Sequence, residues 1–159
     1  MTMTTNEIVG LYKVLSDAKL AKVEEADKYS VIKILRKLRP TAESFEAYQK
    51  DAQERLKPEN WDDIVSKVQQ WQNEGENTTL TEDERKDINM AIMTYERSVS
   101  SCIYEELNME VEIEFKKLTE SAYKKLLASN DWDAKTALLV ADAIVEEEVE
   151  VAETEEVKE

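Results

Sequence analysis

The sequence predicts a mainly α protein: an antiparallel hairpin of long helices, or a helical bundle, with one short β-strand near 109–115 and a disordered acidic C-terminal tail. Three observations carry this expectation. Only two glycines and two prolines interrupt 159 residues, so little stops a helix from running long. Apolar residues recur at alternating steps of three and four over two long segments, the spacing that holds one helical stripe against a partner. A single segment instead alternates every second residue, as the pleat of a strand requires. Charged residues make up 36% of the chain, well above the usual quarter, which implies narrow apolar seams between wide solvated faces.

Thr5 or Asn6 can cap a first helix, in which Ile8, Leu11, Leu15 and Ala18 form one buried stripe. Gly10 inside it costs about 1 kcal/mol against alanine and suggests close packing on a neighbour. The second segment holds the strongest signal. Val31, Leu35, Leu38, Ala42, Phe45, Gln49, Ala52 and Leu56 follow a heptad seam with one polar interruption. The seam passes through Pro40 without losing register. Proline there removes a backbone hydrogen bond and crowds the carbonyl of Arg36, so the segment is either one kinked helix from about 23 to 57 or two helices. The unbroken register favours the kinked helix.

Lys57-Pro58 ends that element, and Pro58 can open the next at its first position. Trp61, Ile64, Val65, Val68 and Trp71 supply its apolar stripe, read as core rather than as a ligand platform. After a loop at residues 75–79, Thr81 and Glu84 have the spacing of a capping box. The helix it opens should run to about Leu107, with Ile88, Ile92, Tyr95, Val99, Cys102 and Ile103 as a second seam. Then Met109, Val111, Ile113 and Phe115 alternate with Glu110, Glu112 and Glu114, a half-buried strand with an acidic outer face. Its unpaired backbone needs a mate. Residues 1–4, residues 149–151 and a strand from another chain are the candidates, and these seven residues are the expected interaction site. Leu118-Thr119 looks like a staple and cap for a short helix carrying Tyr123, Leu126 and Leu127. Asn130-Asp131 restarts the chain into a last helix through Leu138, Leu139, Ala141, Ile144 and Val145. One helical domain over 1–145 and a flexible tail over 146–159 follow. The tail holds eight glutamates and one lysine, and without it the net charge of −15 becomes −8.

The chemistry is defined by what is missing. With no histidine and one cysteine, a His-dependent triad and a zinc site lack their parts. No glycine-rich phosphate loop is present. Carboxylate clusters such as Glu24, Glu25 and Asp27, or Asp131 and Asp133, read as solvated surface, and no calcium loop with its central glycine appears. Cys102 reads as a buried apolar residue, because Glu105 and Glu106 are the wrong sign to activate a thiol. No catalytic residue, cofactor or metal is expected. The acidic balance argues against direct nucleic-acid binding, and no run approaches the length that spans a bilayer. The basic run from Lys33 to Arg39 reads as a solvated helix face. The opening ten residues lack the basic region and apolar run of a secretory signal, so a cytoplasmic location is expected.

An opening stripe from Ile8 to Leu15, a long helix carrying Tyr29 to Tyr48, and a second long helix ending in Glu105-Glu106-Leu107-Asn108-Met109-Glu110-Val111-Glu112-Ile113 before the Leu118-Thr119 cap occur together. In this the chain resembles small uncharacterised helical proteins of tailed bacteriophages. The resemblance implies a phage-encoded protein of virion assembly or host takeover, placed in host cytoplasm or virion, and transfers no functional residue. The sequence admits three functional readings. The first is a non-enzymatic structural, assembly or protein-interaction protein with protein partners, including copies of itself in a homo-oligomer. The second is an acidic nucleic-acid mimic that inhibits a nucleic-acid-binding protein. The third is a metal-assisted carboxylate enzyme.

Overall fold

The computed structural model describes residues 1–146. The expected disordered tail therefore lies, except for Glu146, outside the described residues. The order of elements is β1 (Thr2–Thr4), α1 (Thr5–Ser16), α2 (Glu25–Arg55), α3 (Trp61–Glu74), a 3-10 turn (Gly75–Asn77), α4 (Glu82–Leu107), β2 (Glu110–Glu112), α5 (Glu120–Ser129) and α6 (Ala134–Ile144). The protein is mainly helical with one short strand near 110, as its sequence predicts, and that strand lies in a two-stranded antiparallel sheet. Its contacts group into two compact units. Among the described residues, one comprises Met1, residues 10–39 and residues 113–146; the other comprises residues 2–9 and 40–112.

In the first unit, Leu11 and Leu15 of α1, Val31, Ile34 and Leu38 of α2, Leu126 of α5, and Val140 and Ile144 of α6 are almost fully buried. Moving these side chains out of water contributes about 1.5–3 kcal/mol each. The loop after α1 is held by side chains at the end of α5. Asn130 Oδ1 accepts from the Lys19 amide at 2.7 Å while its amide group donates to the Lys19 and Leu126 carbonyls. Ser129 Oγ accepts from the Lys22 amide, and Lys125 pairs with Glu24 at 2.8 Å. Thr119 caps α5 by accepting from the Ala122 amide. A parallel bridge joins Leu118 to Val145, with the Leu118 amide donating to the Ile144 carbonyl and the Glu146 amide to the Leu118 carbonyl.

In the second unit, residues 40–55 of α2 run antiparallel to α4. Tyr95 Oη donates to the Gln53 carbonyl at 2.9 Å, while Tyr48, further back on α2, sits beside Cys102 and Glu106, further along α4. α3 covers α4 through Ile64, Leu80 and Ile88, with Trp61, Val68, Trp71, Ala91 and Ile92 packed around them. The capping box forms as expected: Thr81 Oγ1 accepts from the Glu84 amide, and the Glu84 carboxylate accepts from the Thr81 amide at 2.9 Å.

Several expectations are corrected. α2 is one helix with Pro40 inside it, but its seam is not one interface. Val31, Ile34 and Leu38 belong to the first core, whereas Ala42, Phe45 and Ala52 belong to the second. Ile34 is fully buried, whereas its neighbour Leu35, the seam residue expected from the spacing, is half-buried. α3 begins at Trp61, three residues beyond Pro58, because the Trp61 amide closes a turn onto the Pro58 carbonyl first. The cap of α1 is Thr4, whose hydroxyl accepts from the Glu7 amide while the Glu7 carboxylate reaches back to the Thr4 amide. A Cβ at Gly10 would meet nothing within 4 Å, so no close approach requires glycine there. α6 buries Val140 and Ile144 and leaves Leu138 and Leu139 exposed, and its cap is Asp133, accepting from the Thr136 amide at 2.7 Å.

Candidate interaction surface

The expected strand forms over Glu110–Glu112, shorter than 109–115. Its mate is β1, in antiparallel register: Thr2 opposite Glu112, Met3 opposite Val111 and Thr4 opposite Glu110. The opening residues of the chain, one of the expected mates, thus pair with it, while residues 149–151 lie outside the described residues. The Met1 and Ile113 backbones also bond reciprocally, at 3.0 and 2.9 Å. Within β2 the alternation faces the way the sequence implies. Val111 is half-buried, while Glu110 and Glu112 are exposed. Beyond it, Ile113 is buried, Phe115 half-buried and Glu114 exposed. Met109 departs from the pattern. Its side chain is exposed, and its carbonyl accepts from the amide and hydroxyl of buried Thr5 at 2.9 and 3.3 Å. Val111 and Ile113 thus serve packing, while Met109, Glu110, Glu112 and Glu114 stand toward solvent.

A second surface lies on α4. At 100° per residue, Ile88, Ile92, Tyr95, Val99, Cys102 and Ile103 occupy one side, turned toward the core of the second unit. Met90, Met93, Arg97, Ser100, Ser101 and Tyr104 occupy the opposite side. Met90 and Tyr104 are each 70% exposed and Met93 50%. Met93, Glu96, Arg97, Ser100, Ser101 and Tyr104 line a shallow depression there. A further cleft of about 390 Å³ opens between Leu56, Pro58, Met90, Ala91, Thr94 and Tyr95. Charge explains why this surface is unusual. From Asn89 to Tyr104, sixteen residues include only two charged ones, Glu96 and Arg97, in a chain that is 36% charged. A surface helix normally carries its charges on the face away from the core, whereas a helix uncharged all round is one buried on both sides. α4 has the composition of the second kind and the exposure of the first. The signal is visible in the sequence as a gap in the charge pattern, but attention to the inner seam alone passes over it.

Displaced pKa values mark structural contacts rather than a converging acid–base pair. The Thr79 amide, foremost, and the Gln70, Thr78 and Thr79 side chains hold Glu74 below the ordinary carboxylate range. The Thr81 amide and hydroxyl do the same for Glu84, the Thr136 amide and hydroxyl for Asp133, and the Lys125 ammonium for Glu24. Desolvation, aided by Cys102 and Glu106, pushes the Tyr48 hydroxyl up. Two of the acids in the clusters noted from sequence are thus taken up by a cap and an ion pair, and a third, Glu25, pairs with Lys28 at 2.7 Å. Among the described residues, no group of three or more acidic or cysteine side chains is placed to hold a metal ion. None of the helices in that range is long and apolar enough to cross a membrane. Trp61 is tilted against Tyr95 with ring centroids 4.5 Å apart, and Arg85 lies over Trp71 at 5.7 Å. Both tryptophans are therefore engaged in packing.

No protein-family model matches the chain, and comparison with curated proteins and with solved structures gives no match.

Proposed function

We propose that this is a non-catalytic protein-interaction protein of an assembly, and that the outer face of α4 is its docking surface. The observation that carries the reading is the pairing of low charge with high exposure along Met90, Met93 and Tyr104. Exposed apolar side chains aligned over several turns lose stability in water and regain it when covered. In this reading the docking serves virion assembly or host takeover, the role that the resemblance to small phage proteins implies. A photo-reactive phenylalanine analogue placed at Met93 tests the reading in cells, with Glu76 on the 3-10 turn as control. Adducts at 93 and none at 76 support it; no adduct at 93 above the control refutes it.

A second reading rests on Glu110, Glu112 and Glu114, which are all exposed. In this reading an acidic surface imitates nucleic acid toward a basic partner. A partner held that way is released by 0.5 M salt, on the order of a 4 Å screening length, whereas apolar docking persists.

A further inference from the structure

We propose that the outer edge of β2 takes an extended basic peptide as a third strand of the sheet, with lysine or arginine at alternate positions. This site is separate from the α4 docking surface and does not depend on it. The ladder's hydrogen bonds leave the edge open. The Thr5 amide donates to the Met109 carbonyl, so in this antiparallel register Thr5–Met109 and, two residues on, Met3–Val111 are the hydrogen-bonded pairs. Thr4–Glu110 and Thr2–Glu112 are the intervening pairs, whose amides and carbonyls point away from each other. On β1 this outward edge closes after one residue. The Thr4 amide donates to the Glu7 carboxylate at 2.7 Å, and the chain turns into α1 at Thr5. On β2 it stays open. Among the described residues, nothing is hydrogen-bonded to the outward amides and carbonyls of Glu110 and Glu112. Two residues that each offer a donor and an acceptor can exchange four hydrogen bonds with an antiparallel strand.

Charge names the occupant. In such a pairing the peptide residues opposite Glu110 and Glu112 share their face of the sheet, with Cβ atoms about 5 Å away. Both glutamates are exposed. Opposite charges across the rung add to the ladder, and like charges oppose it. A second copy offering its own β2 would set glutamate against glutamate, and residues 149–151 bring Glu150 amid further glutamates. The two glutamates therefore reject the chain's own strands, as charged edges do, and select lysine or arginine. The net charge of −15 draws a basic peptide toward the molecule. The intervening peptide residues fall beside half-buried Val111, which favours apolar side chains there.

The probe is a peptide of alternating lysine and valine, blocked at both ends, titrated into the full chain while backbone amide exchange is followed by NMR. At saturation the Glu110 and Glu112 amides exchange at least tenfold more slowly, and the Glu76 amide keeps its rate. In the paired register the lysine amides face β2 and the valine amides face away. N-methylation of the lysine amides therefore weakens binding at least tenfold, whereas N-methylation of the valine amides changes it less than threefold. Glu112→Gln, which removes the charge and keeps the amide, weakens binding a few-fold. Glu112→Pro removes both and abolishes it. Proline is tolerated at an edge position whose N–H makes no bond in the fold, so the thermal melt of this variant stays near the parent's. A peptide that does not bind at about 1 mM overturns the inference, as does binding that leaves the Glu110 and Glu112 amides unprotected. Slow exchange of both amides in the free chain overturns it too, since the edge is then already covered. Binding indifferent to the site of methylation but released by about 0.5 M salt overturns strand addition and leaves the acidic-surface reading standing.

Discussion

Replacing Ile34 and Leu35 separately by alanine sets the heptad spacing against the observed packing. The regular seam selects Leu35, whereas the structure buries Ile34 completely and leaves Leu35 half-buried. Ile34→Ala deletes three carbons from a site with no access to water. At about 0.8 kcal/mol per buried carbon this is roughly 2.4 kcal/mol. The cavity left behind raises the loss to about 3–4 kcal/mol, within the range for large-to-small core changes. Leu35→Ala removes as many carbons from a site already half in water and encloses no cavity, so the loss is about 1 kcal/mol. For a chain of this size a kilocalorie moves the melting temperature by about 2–4 °C. The expected shifts are therefore roughly 6–16 °C for Ile34→Ala and about 2–4 °C for Leu35→Ala. The assay is a thermal melt followed by circular dichroism at 222 nm, with fluorescence of Trp132 reporting on the unit that contains both residues. Equal losses, or a larger loss at Leu35, would falsify the assignment of Ile34 to the core.

The two glycines should respond in opposite directions to alanine. Gly10 lies inside α1 with open space at its Cβ position, so Gly10→Ala should raise stability by about 0.5–1 kcal/mol. Gly75 also has open space, but its φ of 57° is a conformation that side chains resist, and Gly75→Ala should cost about 1–3 kcal/mol in the same melt. Glu74 gives a pH signature. Its folded pKa lies below the ordinary 4.5, so its hydrogen bonds stabilise the fold above that value and fade as pH falls through the lower, folded one. Melting temperature measured from pH 7 down to pH 3 should fall less steeply for Glu74→Gln; an unchanged slope would mean that the carboxylate does not contribute.

Much of the local structure was legible because it depends on near neighbours. The Thr81–Glu84 box, the Thr119 cap, the end of α4 at Leu107 and the single helix through Pro40 are governed by residues within a turn or two. β2 was legible too, since alternation needs only five residues to declare itself. The misplacements have a different cause. Spacing defines a stripe but not its centre, and Leu35 lies one residue from Ile34, about 100° around the helix. The stripe is turned by whatever it packs on, and that is a long-range fact. The same applies to α6, where runs of apolar residues at 137–141 leave several faces equally plausible until Val140 and Ile144 find the core.

By itself, the sequence determined the helical class, the order of the helices, the Thr81 and Thr119 caps and the absence of a histidine-based chemistry, because these follow from composition and from interactions spanning a few residues. Only the tertiary structure decided that α2 divides its seam between two cores, that β2 pairs with β1, and that the second uncharged side of α4 faces solvent. Each of those outcomes joins residues distant in the chain, or depends on what fails to cover a face. No local pattern encodes which of two apolar sides is buried; the burial of one and the exposure of the other arise when the remaining elements take their places.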